Sequence, residues 1–202
     1  MAIDTDALRR AIDRILVKIE AGHERLTELD GKLGDGDLGI TLSKAFRELQ
    51  AVAPSLPDDL GRAFVQAGAA VSKVSSSSFG TLMATGLMAA GKQVKGETSI
   101  GLDRVSGLLD AAVDAMKARG GADLGDKTVL DSLHAVARAI EGRQDAAAML
   151  AAAGQGAEAA LADFRGKPSK IGRARIFADR SVGLDDAGMV AMQVMVSGAA
   201  AG

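Results

Sequence analysis

Three aspartates, Asp30, Asp35 and Asp37, fall within Glu28–Gly39 (ELDGKLGDGDLG), a stretch whose glycines let the backbone fold tightly enough to bring all three carboxylates to one point. Carboxylates about 4 Å apart repel by roughly 4 kcal/mol per pair at an effective dielectric near 20, so their convergence requires a bound cation or protonation. The chain has no Cys and the stretch has no His, which leaves a hard, all-oxygen donor set suited to Mg²⁺ or Ca²⁺. Mg²⁺ typically completes its octahedron with water and phosphate oxygens, so these residues point to phosphate chemistry. The same letters also write an ordinary turn, with Gly supplying positive φ and Asp37 capping the helix that follows. Asp30 separates the two readings: it sits at the end of the first helix, and from there its carboxylate can reach back over the loop.

Other motifs overlap these residues and fail on context. Gly34, Gly36 and Gly39 satisfy G-x-G-x-x-G, but no strand precedes them and acidic residues between the glycines would repel a pyrophosphate that arrived without metal. Gly86–Gln93 (GLMAAGKQ) imitates a P-loop, yet Gln93 stands where Ser or Thr must hold Mg²⁺, and the preceding residues are helical in pattern. An EF-hand beginning at Asp35 would need Gly where Ile40 stands and Glu where Phe46 stands.

The elements that must position the aspartates are helices. The chain has 202 residues and a mass of 20.5 kDa, with no linker-like composition break, and is read as one domain over residues 1–202. Its hydrophobic content of 48% comes from Ala, Leu, Val, Ile and Met, with five Phe and neither Trp nor Tyr, which favours closely packed helices over a β-rich core. A formal charge of −2 and the near absence of aromatics argue against nucleic-acid binding. With no apolar run of about 20 residues and no leader-like start, a protein of the cytoplasm, not of a membrane, is expected.

Helical periodicity or boundary signals place eight helices at Thr5–Leu29, Leu38–Val52, Asp58–Ser72, Phe79–Val94, Leu102–Arg119, Lys127–Glu141, Asp145–Phe164 and Asp186–Ser197. Pro54 and Pro57 break the chain after the second, and Gly120 and Gly121 end the fifth. The long irregular stretch Arg165–Asp185 is of a kind more often functional than idle. The Ala-rich seventh helix, His23, His134 and Met83, Met88, Met189, Met192 and Met195 read as ordinary packing or surface residues.

The acidic loop, the Ser-rich turn, Gly120–Asp131 (GGADLGDKTVLD) and Gly172–Gly183 (GRARIFADRSVG) together resemble the nucleotide-binding L subunit of dihydroxyacetone kinase, over essentially the whole chain. The resemblance implies an all-α fold, an eight-helix antiparallel barrel-like bundle, in which Asp30, Asp35 and Asp37 hold two Mg²⁺ ions against the phosphates of ADP or ATP. It places Leu38, Gly39, Ile40 and Thr41 in the nucleotide-contacting turn that opens the second helix. It also sets Val71–Thr81 (VSKVSSSSFGT) on a glycine-rich phosphate segment, with Val74 and Ser75 at the contact. Gly120 and Val129 fall on the adenine pocket, Arg173 on a nucleotide-contacting arginine, and Asp186, Ala187 and Gly188 on a turn that closes the site. Read without the resemblance, Asp126-Lys127-Thr128 is a good helix start, and Arg180 is as readily a structural ion-pair partner.

Several residues depart from the pattern: Leu38 and Leu184 stand where His is common, Ala187 where Pro is usual, and Ser72-Lys73 in place of Gly-Gly. The resemblance implies phosphoryl transfer to a ketose held on a separate K subunit, with a phosphotransferase M subunit as one source of the phosphoryl group. It leaves room for a homodimer. Two other readings stand beside it: a nucleotide-sensing regulatory subunit without transfer activity, motivated by Leu38 and Leu184, and the nucleotide domain of a fatty-acid kinase.

Overall fold

The computed structural model describes residues 2–201. Its eight α-helices are α1 (Thr5–Leu33), α2 (Leu38–Val52), α3 (Leu60–Val74), α4 (Ser78–Gln93), α5 (Val105–Gly120), α6 (Val129–Ile140), α7 (Ala146–Arg165) and α8 (Ala187–Ala200). Each packs on its chain neighbours, and α8 returns to α1, which closes the ring into the expected antiparallel barrel-like bundle.

Local side chains set most of the boundaries. Asp4, Asp59, Ser77, Thr128, Asp145 and Asp186 each accept a main-chain N–H from the first turn of the helix they precede. Asp59 and Thr128 lie outside their helices as caps, so α3 and α6 start two residues later than periodicity alone suggests. Thr128 and Asp131 close a reciprocal capping box. The fifth helix is shorter than expected at its start because Leu102–Arg104 form a 3₁₀ turn, and Gly121, at φ +70°, ends it.

One element was not expected. Ala2–Asp4 (β1) and Ser99–Gly101 (β2) pair antiparallel, Ile3 opposite Ile100, and tie the start of the chain to the α4–α5 connection. Ile100 is buried, and Ile3 packs beside it with Leu60, Val94 and Leu108.

The largest apolar cluster joins Ile12, Leu16, Ile19 and Leu26 of α1 to Leu42 and Phe46 of α2 and to Met189 and Val190 of α8. This cluster fixes the angle at which the end of α1 meets the start of α2. The barrel interior is not filled throughout: a cavity of about 350 Å³ is lined by Leu8, Ile12, Phe46, Phe79, Met83 and Met192 among others. Met189 is fully buried core, and Met83, Met192 and Met195, packed against the core clusters, also line the cavity.

Candidate metal and nucleotide site

Asp30 lies in the last turn of α1, which extends to Leu33, past the end expected from sequence. Its Oδ2 accepts the N–H of Asp37 at 3.0 Å and of Leu38 at 3.3 Å, so a carboxylate from α1 caps the N-terminus of α2. Asp37 occupies the N-cap position but makes no side-chain capping bond. Its carboxylate is therefore released from the role that the turn reading assigned to it.

Two glycines make this possible. Gly36 turns the loop at φ +71°. At Gly34 a Cβ would stand 2.4 Å from Oδ1 of Asp30, so only a bare Cα admits the Asp30 carboxylate. One oxygen from each of Asp30, Asp35 and Asp37 lies within 4.8 Å of the others, a spacing that a shared divalent cation can bridge. Desolvation, then the charges of Asp35 and Asp30, push the Asp37 carboxyl above its ordinary range; Arg173 and Lys44 pull it the other way.

The donor set fits Mg²⁺ on these observations: the oxygens are hard, converge from the last turn of α1 and the short loop that follows it, and one of the three carboxylates is already immobilised by main-chain N–H groups. The N–H groups of Gly39 and Ile40 have no protein acceptor among the described residues, whereas that of Leu38 is taken by Asp30 and that of Thr41 by the Asp37 carbonyl. Within the turn, then, Gly39 and Ile40 are the N–H groups left for an anion. The side chains of Leu38 and Thr41 are buried, and Ile40 is exposed. Gly39 has a second task, since a Cβ there would stand 2.4 Å from the His23 carbonyl of α1.

Arg173 reaches the aspartates from far along the chain. It opens a 3₁₀ run, Arg173–Ser181, within the stretch expected to be irregular, and its Nη1 pairs with Oδ1 of Asp35. Arg180 makes no ion pair among the described residues; its guanidinium lies over the Phe177 ring, 5.1 Å from the centroid.

The remaining expected residues form a second group. A Cβ on Gly188 would lie 3.5 Å from both Phe79 and Val129 and 3.1 Å from Asp186, and Gly120 faces Leu82. Phe79, Leu82 and Val129 belong to one apolar cluster, so Gly120, Val129 and Gly188 border a common wall. Asp186 caps α8 through Met189 N–H at 2.9 Å, and Ala187 begins the helix. Burial pushes the Asp186 carboxyl up to about 6, against the pull of the Met189 N–H and the Lys127 ammonium. Val74 ends α3 and Ser75 caps it; Ser75 Oγ lies 3.2 Å from Ser77 Oγ, over Gly80, where a Cβ would collide with it.

Sequence reasoning missed Lys127. It was read as the first residue of a helix, but its backbone is left-handed, at φ +63°, and its side chain is 2% exposed. No side-chain pattern could have revealed this, because its partners are main-chain carbonyls.

The DAK2 domain family matches residues 32–201, from the last two residues of α1 to the end of α8. This chain belongs to that family. The ADP-binding subunit DhaL of a PEP-dependent dihydroxyacetone kinase from Listeria innocua is 30% identical over 190 residues, which cover 93% of this chain and 91% of the relative. A D-erythrulose kinase from Mycolicibacterium smegmatis is 37% identical over 193 residues, and there the match spans 91% of this chain but 33% of the larger protein. The crystal structure of the Citrobacter freundii dihydroxyacetone kinase in complex with AMP-PNP and Mg²⁺ superposes with a TM-score of 0.73 at 25% identity. The match covers 95% of this chain and a third (33%) of that one. No helix among the described residues is long and apolar enough to cross a membrane.

Proposed function

We propose that this protein is the nucleotide-binding subunit of a dihydroxyacetone-type ketose kinase, which holds Mg-ADP or Mg-ATP and transfers the phosphoryl group to a ketose carried by a separate K subunit. The observation that carries this reading is the convergence of Asp30, Asp35 and Asp37 within 4.8 Å, with Asp30 fixed by the N–H groups of Asp37 and Leu38 and the Asp37 side chain freed from capping. The family membership and the AMP-PNP and Mg²⁺ complex of the Citrobacter freundii enzyme support it.

In this reading Asp30, Asp35 and Asp37 hold two Mg²⁺ ions, which when bound supply charge neutralisation along the phosphate chain. The Gly39 and Ile40 N–H groups at the positive end of α2 face phosphate oxygens, and Val74 at the end of α3 and Ser75 in the α3–α4 connection border the same chain. Arg173 turns its guanidinium from Asp35 to the phosphates, where its forked N–H groups match paired oxygens. Gly120, Val129, Gly188 and Ala187 line the base, with Val129 the apolar wall and Asp186 the cap that fixes the turn. The γ-phosphorus–oxygen bond to ADP breaks as a bond forms to the ketose hydroxyl oxygen, whose proton is released. No side chain of this chain needs to act as a covalent nucleophile.

The departure at Leu38 does not weaken the proposal, because its side chain is in the main apolar cluster and leaves the phosphate face to main-chain groups. We place the protein in the cytoplasm as part of the same reading. The decisive measurement is thermal unfolding with and without Mg-ADP. At a nucleotide concentration about 100 times Kd, binding adds about 2.7 kcal/mol, or about 5–11 °C for a domain of this size. Asp35→Ala is expected to abolish that rise; equal responses of wild type and variant would overturn the assignment of the acidic loop. Recharging of bound ADP by an M subunit is separated from exchange for free ATP by supplying each donor in turn with the K subunit and a ketose.

A further inference from the structure

Lys127 has the largest side chain among the fully buried described residues, yet among the described residues no carboxylate lies within salt-bridge distance of its ammonium. A buried lysine normally survives only when its charge is matched by hydrogen bonds or an ion partner. Here all three N–H donors can be satisfied by main-chain carbonyls: Nζ lies 3.2 Å from the carbonyl oxygen of Arg165, 2.8 Å from that of Lys167 and 2.8 Å from that of Ser181. Asp186 and Asp185 supply compensating charge at longer range, while Asp185 itself is bound by the Arg165 guanidinium. The left-handed backbone of Lys127 carries a conformational cost that a lysine rarely bears, which indicates that the surrounding contacts impose it.

The three carbonyls are not scattered. Arg165 and Lys167 stand where the chain leaves α7, and Ser181 where the 3₁₀ run ends, so one ammonium pins both ends of the intervening loop. The base of the loop is further tied by Ser169 N–H to Ser181 Oγ at 2.7 Å, by Gly183 N–H to the Arg165 carbonyl at 2.8 Å and by Lys170 N–H to the Asp126 carbonyl at 3.1 Å. Beyond this base the loop is largely exposed: Arg173, Arg175, Ile176 and Arg180 all face solvent. The far end of the same loop carries Arg173, paired with Asp35.

We propose that Lys127 is a positioning residue for the phosphate end of the site: its ammonium gathers the two ends of the Arg165–Ser181 loop and thereby holds the Arg173 guanidinium over the acidic cluster. The functional half of this proposal rests on the nucleotide-binding reading above. The structural half does not.

Two assays on the full-length protein separate a positioning role from a merely stabilising one. In the first, limited trypsin digestion at a temperature well below each protein's unfolding transition reads cleavage after Arg173, Arg175 and Arg180. Lys127→Met is expected to raise the rate at these sites at least about tenfold relative to sites elsewhere. In the second, calorimetric titration with Mg-ADP compares wild type, Lys127→Met, Arg173→Ala and the double variant. Each single change is expected to weaken binding about tenfold, and the double variant is expected to be no weaker than Arg173→Ala within a factor of about two, because Lys127 acts through Arg173. Unchanged cleavage in Lys127→Met, or losses that multiply in full, would overturn the proposal. If Lys127→Met does not fold, Lys127→Gln, which is shorter and neutral but can still donate to a carbonyl, is read by the same criteria. If wild type itself fails to bind Mg-ADP, the nucleotide reading falls and the trypsin comparison alone decides the loop anchor.

Discussion

Replacing Asp37 with Asn should change stability in opposite directions with and without Mg-nucleotide. Asp37 shares a 4.8 Å cluster with Asp30 and Asp35, its carboxyl is partly desolvated, and it makes no capping bond whose loss would offset the change. Two charges at that distance repel by about 3.5 kcal/mol per pair at an effective dielectric near 20. Solvent at the exposed Asp35, and the attraction of Arg173 and Lys44, reduce the net gain from neutralisation to about 1–2 kcal/mol, or about 2–8 °C in Tm. In EDTA at pH 7, Asp37→Asn should therefore melt above wild type. The sign with pH follows from the raised carboxyl: its contribution to stability is present below the ordinary value of 3.8 and is lost as pH rises through the folded value. The advantage of Asn should accordingly vanish below about pH 4 and grow toward neutrality. With Mg-ADP near 100 times Kd, wild type should gain about 2.7 kcal/mol and the variant little, so their order reverses. Differential scanning calorimetry in the two buffers reads both effects. An Asp37→Asn protein that melts below wild type in EDTA would show that the carboxylate stabilises the turn, and the metal argument would lose its electrostatic basis.

Two further substitutions test the supports of the site. Gly39→Ala should destabilise by about 1–3 kcal/mol, because the new methyl would stand 2.4 Å from the His23 carbonyl and Thr27 Oγ1 and push α2 off α1. Ala is otherwise the better helix former by about 1 kcal/mol, so a rise in urea midpoint would refute the close packing inferred there. Asp186→Asn should raise Tm at pH 8 and leave it unchanged at about pH 3, below the ordinary carboxyl value of 3.8, since Asn still caps α8 while avoiding a carboxylate that burial disfavours. A carboxyl moved from 3.8 to about 6, at 1.36 kcal/mol per pH unit, sets an upper bound of about 3 kcal/mol. A change independent of pH would place the effect in packing rather than ionisation.

What could be read from sequence follows the range of the interactions involved. The second helix was placed at Leu38–Val52 and lies there, because Pro54 follows its end and its start is written in adjacent residues. The paired strands at Ala2–Asp4 and Ser99–Gly101 were missed because three residues are too few to display an alternating pattern. The convergence of the three aspartates was visible because all three lie close in sequence, from the last turn of α1 to the start of α2. That Asp30, rather than Asp37, caps α2 was not visible, because both are good caps and only the bend at Gly34 and Gly36 decides between them.

Arg173 and Lys127 mark the boundary of such reasoning in different ways. The ion pair of Arg173 with Asp35 joins residues from opposite ends of the chain, which a pass along the sequence can suggest only through a shared resemblance. Lys127 leaves still less trace: carbonyl oxygens are common to every residue type, so the identities of Arg165, Lys167 and Ser181 do not encode their role as acceptors. An isolated lysine before a capping threonine therefore reads as helix chemistry, and only its burial shows that it fastens a loop. The acidic half of the site is thus written locally and its cationic half depends on tertiary packing, so substitutions remote from the aspartates, at Lys127 above all, should alter phosphate recognition while leaving the carboxylate cluster intact.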